Sequence, residues 1–122
     1  MTEQTQEELS DILTVDGVTL TMYAGVIVKI DEAIGGFESL DELPVNPNLQ
    51  SKMVEAIVTK YDENGNKDGY MINPFKIKSG DFQKIYEWGL KHYEVFILNS
   101  STKTMKMLKN IQTTITGFPI NS

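Results

Sequence analysis

Residues 79–99 read SGDFQKIYEWGLKHYEVFILN, and this stretch carries the strongest periodic pattern in the chain. Its apolar and small residues recur at steps of three and four, the spacing of one helix face, while charged residues fill the other side. The stretch therefore predicts a long amphipathic helix, capped by Ser79, whose apolar face packs on a core. That face comprises Phe82, Ile85, Tyr86, Gly89, Tyr93, Phe96 and Ile97.

The same stripe continues toward the C-terminal part of the chain. The pattern allows either one long helix or two helices broken near residues 99–101. Its further members are Ser100, Thr104, Met107, Leu108 and Ile111. The segment is rich in lysine, which suits the negative pole of a helix dipole. Its three lysines are Lys103, Lys106 and Lys109.

The N-terminal half of the chain predicts a β-hairpin around Asp16-Gly17. Residues 18–23 alternate between apolar and polar side chains, the period of a half-buried strand, and Asp-Gly is a typical two-residue hairpin turn. Residues 24–34 remain ambiguous, because Val26-Ile27-Val28 favours a strand while Val26, Ile30 and Ile34 fall at helical spacing. Gly35-Gly36 ends whichever element forms there.

Two further elements follow a connector at residues 37–47. Asn46-Pro47 is typical of a helix start, with Asn as the N-cap and Pro in the first turn, and predicts a short helix to about Val58. The polar stretch 62–69 predicts an exposed loop or hairpin tip, and residues 70–78 predict a strand at a sheet edge.

These elements predict one α+β domain at residues 12–116, with an acidic arm at 1–11 and a tail at 117–122. The domain would contain an N-terminal β-hairpin, a short middle helix, a hairpin-like loop and a long amphipathic C-terminal helix. A chain of 122 residues suffices for one core, and 40% apolar residues with 23% charged residues is ordinary for a globular protein.

The composition excludes most kinds of reactive site. The chain has no Cys, no Arg and one His, so thiolate chemistry, disulfides and most metal sites cannot form within one copy. Residues 1–10 have no apolar core of a secretory signal, and the longest apolar stretch, residues 24–28, is far shorter than the ~20 residues of a membrane helix. We expect no membrane partner and a reducing compartment.

Residues that suggest chemistry each have a simpler interpretation. The loop at 62–69 alternates oxygen ligands like a calcium site, but neither possible register supplies both the glycine and the final glutamate. His92 has no nucleophile motif to serve and is expected to pack or to lie on the surface. The carboxylate pairs 31–32 and 41–42 are expected to be solvated. The sequence therefore predicts no catalytic site, no cofactor and no metal.

Nucleotides and nucleic acids are also poor matches to this sequence. No glycine-rich phosphate-binding motif is present. The lysines near the end of the chain lack any accompanying Arg, the residue that best fits phosphate groups and guanine edges. We therefore do not expect a nucleic-acid partner.

Charge is distributed unevenly along the chain. Residues 1–45 hold ten acids and one lysine, whereas residues 76–122 hold seven lysines and three acids. The acidic arm could fold back on its own basic helix, or it could contact the basic end of the next copy in a head-to-tail array. Trp88, on the flank of the helix stripe, is expected to pack in the core or to anchor a partner. The candidate protein-contact residues are Glu3, Glu7, Glu8, Trp88, Tyr93, Lys103, Lys106 and Lys109.

Four features occur in a fixed order along the chain: an acidic start, the hairpin around residues 15–18 (VDGV), the connector at 40–43 (LDEL) and the stretch 88–96 (WGLKHYEVF) before a polar helix. In this order the chain resembles small phage tail-region proteins, tail assembly chaperones in particular. The resemblance implies a non-enzymatic protein of the host cytoplasm or the virion that binds tail components or copies of itself. The loop at 62–69 departs from the chaperone pattern and suits a contact between structural subunits.

One alternative function comes from a different class of protein. An acidic inhibitor would present carboxylates in place of phosphates to a basic or nucleic-acid-binding surface of a host enzyme. Such a protein needs ordered acids on one folded face. A flat patch formed by Asp31, Glu32, Asp41 and Glu42 would favour this alternative over assembly.

Overall fold

The computed structural model describes residues 9–115, with side chains up to residue 100. Glu3, Glu7, Glu8 and the predicted tail at 117–122 therefore lie outside the described residues. The described part has the predicted α+β class, with an N-terminal hairpin, a second small hairpin and a long C-terminal helix. Helices alternate with the two hairpins around one hydrophobic cluster.

The predicted N-terminal hairpin is confirmed. Strands β1 (Ile12–Val15) and β2 (Val18–Thr21) pair antiparallel, with Val15 opposite Val18. Asp16 and Gly17 form the turn with φ of 50° and 77°, the left-handed conformation that a type I′ turn requires at both positions. The alternation of the strands buries Val15 and Leu20 against the core.

Residues 24–34, which the sequence leaves ambiguous, form helix α1 (Ala24–Ile34). Val26, Ile30 and Ile34 lie at intervals of four and are buried, whereas Val28 is 44% exposed. The helix ends where Gly35 takes a φ of 85°, and its N–H donates to the Asp31 carbonyl oxygen, a common way for glycine to close a helix. Burial of these three residues on one face therefore favours a helix over a strand at residues 24–34.

The connector and the middle helix follow the predicted order. Two 3₁₀ turns at Phe37–Asp41 and Leu43–Val45 bring the fully buried Leu43 to the core. Helix α2 spans Pro47–Val58, and the Asn46 side chain accepts from the N–H groups of residues 48 and 49 at 3.1 and 3.2 Å. The helix start predicted at Asn46-Pro47 is confirmed.

Residues 62–69 include the tip of a second hairpin, as predicted. Strands β3 (Thr59–Tyr61) and β4 (Lys67–Tyr70) pair antiparallel. The prediction of a strand at residues 70–78 is wrong. Only Tyr70 belongs to a strand, and Pro74–Lys76 form a 3₁₀ turn. Asn73 caps that turn by accepting from the Phe75 N–H at 2.9 Å, so the Asn-Pro pair starts a turn rather than marking a strand edge.

Helix α3 runs without a break from Ser79 to Ile115, which settles the choice between one helix and two. Within residues 79–100, where its side chains are described, the buried apolar residues are Ile85, Tyr86, Trp88 and Tyr93. Gly89 lies where α3 crosses α2, because a Cβ built there would fall inside contact distance of the Ile57 Cδ1 atom. A glycine in the predicted stripe thus permits the close approach of two helices.

A hydrogen bond between buried and part-buried groups ties α3 to α1. The hydroxyl of Tyr93, a fully buried residue, donates to Asp31 Oδ1 at 2.6 Å. Burial raises the pKa of Tyr93 well above its usual value of 10.0, and the Asp31 carboxylate raises it further. The phenol therefore stays protonated in the folded protein where an unfolded chain would already ionise.

We expect this contact to make stability fall at alkaline pH. Above pH 10 the unfolded state releases the Tyr93 proton and the folded state retains it, so unfolding is increasingly favoured, by about 1.4 kcal/mol per pH unit for one such group. Tyr93→Phe should lose about 1–2 kcal/mol at neutral pH and show a shallower decline above pH 10. Urea unfolding at several pH values measures both. An unchanged alkaline slope in the variant would contradict this assignment.

Candidate functional site: a groove between two hairpins

A groove of about 690 Å³ is lined by residues of both hairpins and is here called the inter-hairpin groove. Its lining includes the β2 residues 19–21, which form what is here called the β2 wall, and the β3 residues 59–61 with part of the following turn, here called the β3 wall. Residues of α1 also line it. Its volume falls in the range of about 300–1,000 Å³ that is typical of binding sites.

The β2 wall presents unpaired backbone groups. The Met22 N–H donates to the Asp11 carbonyl at 2.8 Å, so residues 11 and 22 form a hydrogen-bonded pair. Hydrogen-bonded and non-hydrogen-bonded pairs alternate along an antiparallel hairpin. The pairs of Ile12 with Thr21 and of Thr14 with Thr19 are therefore non-hydrogen-bonded. The backbone N–H and C=O groups of Thr19 and Thr21 therefore point away from β1. Among the described residues, no strand pairs with that side of β2.

The β3 wall has the same property. The Asp62 N–H donates to the Asn66 carbonyl at 2.8 Å, next to the pair of Tyr61 with Lys67. At the other end of the strand, the Met71 N–H donates to the Val58 carbonyl at 2.6 Å, next to the pair of Thr59 with Tyr70. The backbone groups of Tyr61 and the carbonyl of Thr59 consequently point away from β4. The Thr59 N–H instead closes α2 by donating to Glu55 C=O.

Both free edges border the same groove. Of the four described strands, β2 and β3 line it, whereas no residue of β1 or β4 does. The groove therefore lies on the far side of each hairpin from its partner strand. Unpaired strand edges are templates for another strand, and proteins usually cover or blunt them.

The floor and rim of the groove are largely apolar. Leu20, Val26 and Ile57, all core residues, reach its floor. Tyr23, Val28 and Met71 stand on the rim with 67%, 44% and 44% of their surface exposed. Apolar residues clustered on a rim are typical of a contact surface.

The charges of the groove nearly cancel. Its lining holds two lysines and three acids. Lys29 Nζ lies 3.7 Å from Glu32 Oε1 and 5.6 Å from the centre of the Tyr61 ring. Asp62 is committed to its own turn, since Oδ1 accepts from the N–H groups of Asn64 and Asn66 at 2.9 Å each. The groove therefore suits an uncharged segment.

A smaller hollow of about 390 Å³ adjoins the groove and shares Lys29, Glu32, Thr59 and Tyr61 with it. Burial raises the pKa of Tyr61, whose hydroxyl donates to the Ala56 carbonyl at 2.8 Å. Glu55, which also lines the hollow, accepts from the Tyr70 hydroxyl at 3.0 Å. These bonds fix the β3–β4 hairpin on α2 and hold the groove wall in place.

Trp88 and His92 hold the C-terminal end of the predicted acidic arm at Ser10. Trp88 Nε1 donates to the Ser10 carbonyl at 2.8 Å, and His92 Nε2 lies 2.8 Å from the same oxygen. A carbonyl oxygen only accepts, so this contact requires a proton on His92 Nε2. The two rings pack edge to face with centroids 5.3 Å apart. Their described role is structural, because they hold the chain just before β1 against α3.

The predicted contact residues are not brought together. Trp88 and Tyr93 lie inside the domain, with 7% and 0% of their surface exposed, so neither presents its ring to a partner. The backbone of Lys103, Lys106 and Lys109 belongs to α3, but their side chains lie outside the described part. The groove was missed by sequence reasoning. The local sequence feature that indicates it is the pair Thr19 and Thr21, which alternate with apolar residues on β2.

No group of three or more His, Asp or Glu side chains in residues 9–100 is arranged to hold a metal ion. No helix in the described part of the chain is long and apolar enough to cross a membrane.

Comparisons of the chain with protein-family models, with curated proteins and with solved structures found no match.

Proposed function

We propose that the protein is a non-enzymatic assembly component that binds an extended segment of another polypeptide in the inter-hairpin groove. The observation that supports this most directly is the pair of free strand edges, at Thr19 and Thr21 on one wall and at Tyr61 on the other. An extended peptide gains affinity from main-chain hydrogen bonds when it adds to such an edge.

The chemistry of the groove defines the segment that it would accept. A bound strand would alternate its side chains between the apolar floor around Leu20 and Ile57 and the solvent. The near balance of charge in the lining favours an uncharged segment with apolar residues at every second position. Partners of this kind include structural proteins and other copies of the chain.

The biological setting of the proposal is a phage tail or virion, and it rests on the sequence resemblance alone. In that setting the protein would be an assembly chaperone or a small structural component. Its partners would be other tail proteins, and it would be found in the host cytoplasm or in the particle.

The alternative of an acidic inhibitor has less support. Asp31 accepts a hydrogen bond from Tyr93, and Glu32 pairs with Lys29, so half of the carboxylates that would form the acidic patch already have partners within the domain. Asp41 and Glu42 are exposed on the connector between α1 and α2.

The proposal is tested by blocking one strand edge and comparing it with a matched edge. Thr14 and Thr19 face each other in one pair, both are exposed, and each directs its N–H away from the ladder. Proline at either position removes an outward N–H without breaking the hairpin. Thr19→Pro blocks the groove edge, whereas Thr14→Pro blocks the opposite edge.

We expect the tagged protein, produced with its genomic neighbours, to capture tail or virion proteins in the parent and Thr14→Pro forms. Thr19→Pro should lose most of this recovery. Equal recovery by both variants would exclude the groove as the binding site. Recovery of a single host enzyme, lost as salt is raised, would favour the acidic inhibitor instead.

A further inference from the structure

The smaller hollow beside the inter-hairpin groove is lined by charged side chains from three parts of the fold. Its volume of about 390 Å³ lies within the range of about 300–1,000 Å³ that is typical of binding sites. The charged residues of its lining are Lys29 and Glu32 in α1, Lys52 and Glu55 in α2, and Lys67 in β4.

Both carboxylates of the hollow already have a lysine beside them. Lys29 Nζ lies 3.7 Å from Glu32 Oε1. Lys67 Nζ lies 4.0 Å from Glu55 Oε2, and the same oxygen accepts from the Tyr70 hydroxyl at 3.0 Å. Two of the three lysines are therefore balanced by acids within the hollow.

Lys52 is the third lysine, and its charge is not balanced. Among the residues that the structure describes, none forms an ion pair or a hydrogen bond with its ammonium group. The residue is exposed on α2, where the ammonium group can meet a ligand from solution. The lining thus carries one positive charge that none of its own acids neutralises.

The two hydroxyl groups of the lining already donate their protons within the domain. Thr59 Oγ1 donates to the Glu55 carbonyl at 2.6 Å, and the Tyr61 hydroxyl donates to the Ala56 carbonyl at 2.8 Å. Because a hydroxyl group has a single proton, neither can donate to a ligand as well. The donors left among these side chains are the lysine ammonium groups, which suit a ligand that only accepts hydrogen bonds.

We propose that the hollow binds a carboxylate group through Lys52. An ionised carboxylate only accepts hydrogen bonds and carries one negative charge, so it matches both the donors and the unbalanced charge of the lining. A dianionic phosphate would place its second charge near Glu32 and Glu55, where like charges repel.

Two sources can supply this carboxylate. One is a free small carboxylic acid, which would bind whether or not the groove accepts a strand. The other is an acidic side chain on a segment bound in the inter-hairpin groove, which borders the hollow at Lys29 and Tyr61. This second source rests on the proposed function, whereas the first does not.

Titration of the full chain with sodium acetate tests the hollow by itself. The ionic strength is held constant with chloride, and the methyl groups of Ala33 and Ala56 are followed by NMR, because both residues line the hollow and neither lines the groove. We expect saturable shifts in the parent and about three- to fivefold weaker binding by Lys52→Gln. Lys60→Gln is the matched control, because Lys60 is an exposed lysine that lines the groove but not the hollow, and it should bind acetate like the parent.

Three results of this titration would overturn the proposal. Shifts that do not saturate in the parent would exclude a carboxylate site. Equal acetate affinity in the parent and in Lys52→Gln would remove Lys52 from the site. Methyl phosphate is mostly dianionic above about pH 7, and tighter binding of this compound than of acetate would overturn the choice of a carboxylate. Glutamine is about as good a helix former as lysine, so Lys52→Gln should unfold in urea like the parent.

Synthetic peptides identify the source of the carboxylate. Heptapeptides with blocked ends and alternating valine and threonine carry either glutamate or glutamine as the first or the last residue, so that both strand directions are sampled. In one direction we expect the glutamate form to bind about three- to fivefold more tightly than the glutamine form at low salt, and Lys52→Gln should abolish this preference.

The peptide results separate the carboxylate site from the groove. Equal binding of the glutamate and glutamine forms in both directions would overturn delivery by a bound segment and leave free carboxylic acids as the source. Binding of neither form would contradict the proposed function, and the acetate titration alone would then decide whether the hollow binds a carboxylate.

Discussion

Gly89→Leu is expected to lower the free energy of unfolding by about 2–3 kcal/mol, because it overfills the crossing of α2 and α3. Even a Cβ atom at this position falls inside contact distance of the Ile57 side chain, and both residues are buried. Leucine is a better helix former than glycine, so a loss of stability would come from packing and not from helix propensity.

Gly80→Leu is the matched control for this substitution. Gly80 also belongs to α3 but is exposed, and no atom lies within 4 Å of a Cβ built there. Stability should be unchanged or rise by less than about 1 kcal/mol. Adding Ile57→Ala to Gly89→Leu should cost less than the sum of the two single changes, because the smaller side chain makes room. Equal losses at the two glycines in urea unfolding would contradict the close approach.

Ile30→Ala is expected to cost about 3 kcal/mol, whereas Val28→Ala should cost less than about 0.5 kcal/mol. Ile30 is fully buried at the centre of the inner face of α1, and Val28 stands on the rim of the groove with 44% of its surface exposed. In a strand the two side chains would share one face and would be buried together.

Chemical unfolding of the two variants distinguishes these geometries. The helix predicts a large difference between them, with equal slopes against denaturant concentration. Comparable losses at both positions would mean that residues 24–34 do not form the helix described above.

Segments with strong local signals were predicted from the sequence. Asp16-Gly17 supplies the left-handed turn of the first hairpin, and Asn46-Pro47 supplies both the cap and the first turn of α2. The three-four spacing of residues 82–97 likewise predicted α3. At the two turns the neighbouring residues favour the backbone conformation directly, whereas in α3 the spacing marks the face that packs on the core.

Segments that depend on tertiary packing were not resolved from the sequence. Residues 24–34 fit two periods, and the core selects the helix by burying Val26, Ile30 and Ile34. Residues 70–78 were mispredicted for a local reason: they alternate like a strand, but the Asn73 side chain caps a 3₁₀ turn.

The candidate site was predicted least well. The inter-hairpin groove joins β2 to β3, two strands separated by about forty residues of sequence and paired with different partners. No local pattern shows that their free edges border one cavity. Large aromatic residues often anchor partners, which makes Trp88 and Tyr93 contact candidates in the sequence. The same size and apolar surface place both residues in the core.

Amide hydrogen exchange tests the central claim most directly, measured residue by residue for the protein alone and with its captured partner. Alone, the N–H groups of Thr19, Thr21 and Tyr61 should exchange far faster than those of Val18 and Leu20, which face β1. With the partner bound, the first three should become protected, while Thr14 on the opposite edge should not change. Protection of Thr19 and Thr21 in the protein alone, or unchanged exchange in the complex, would contradict the proposal that the groove binds a strand.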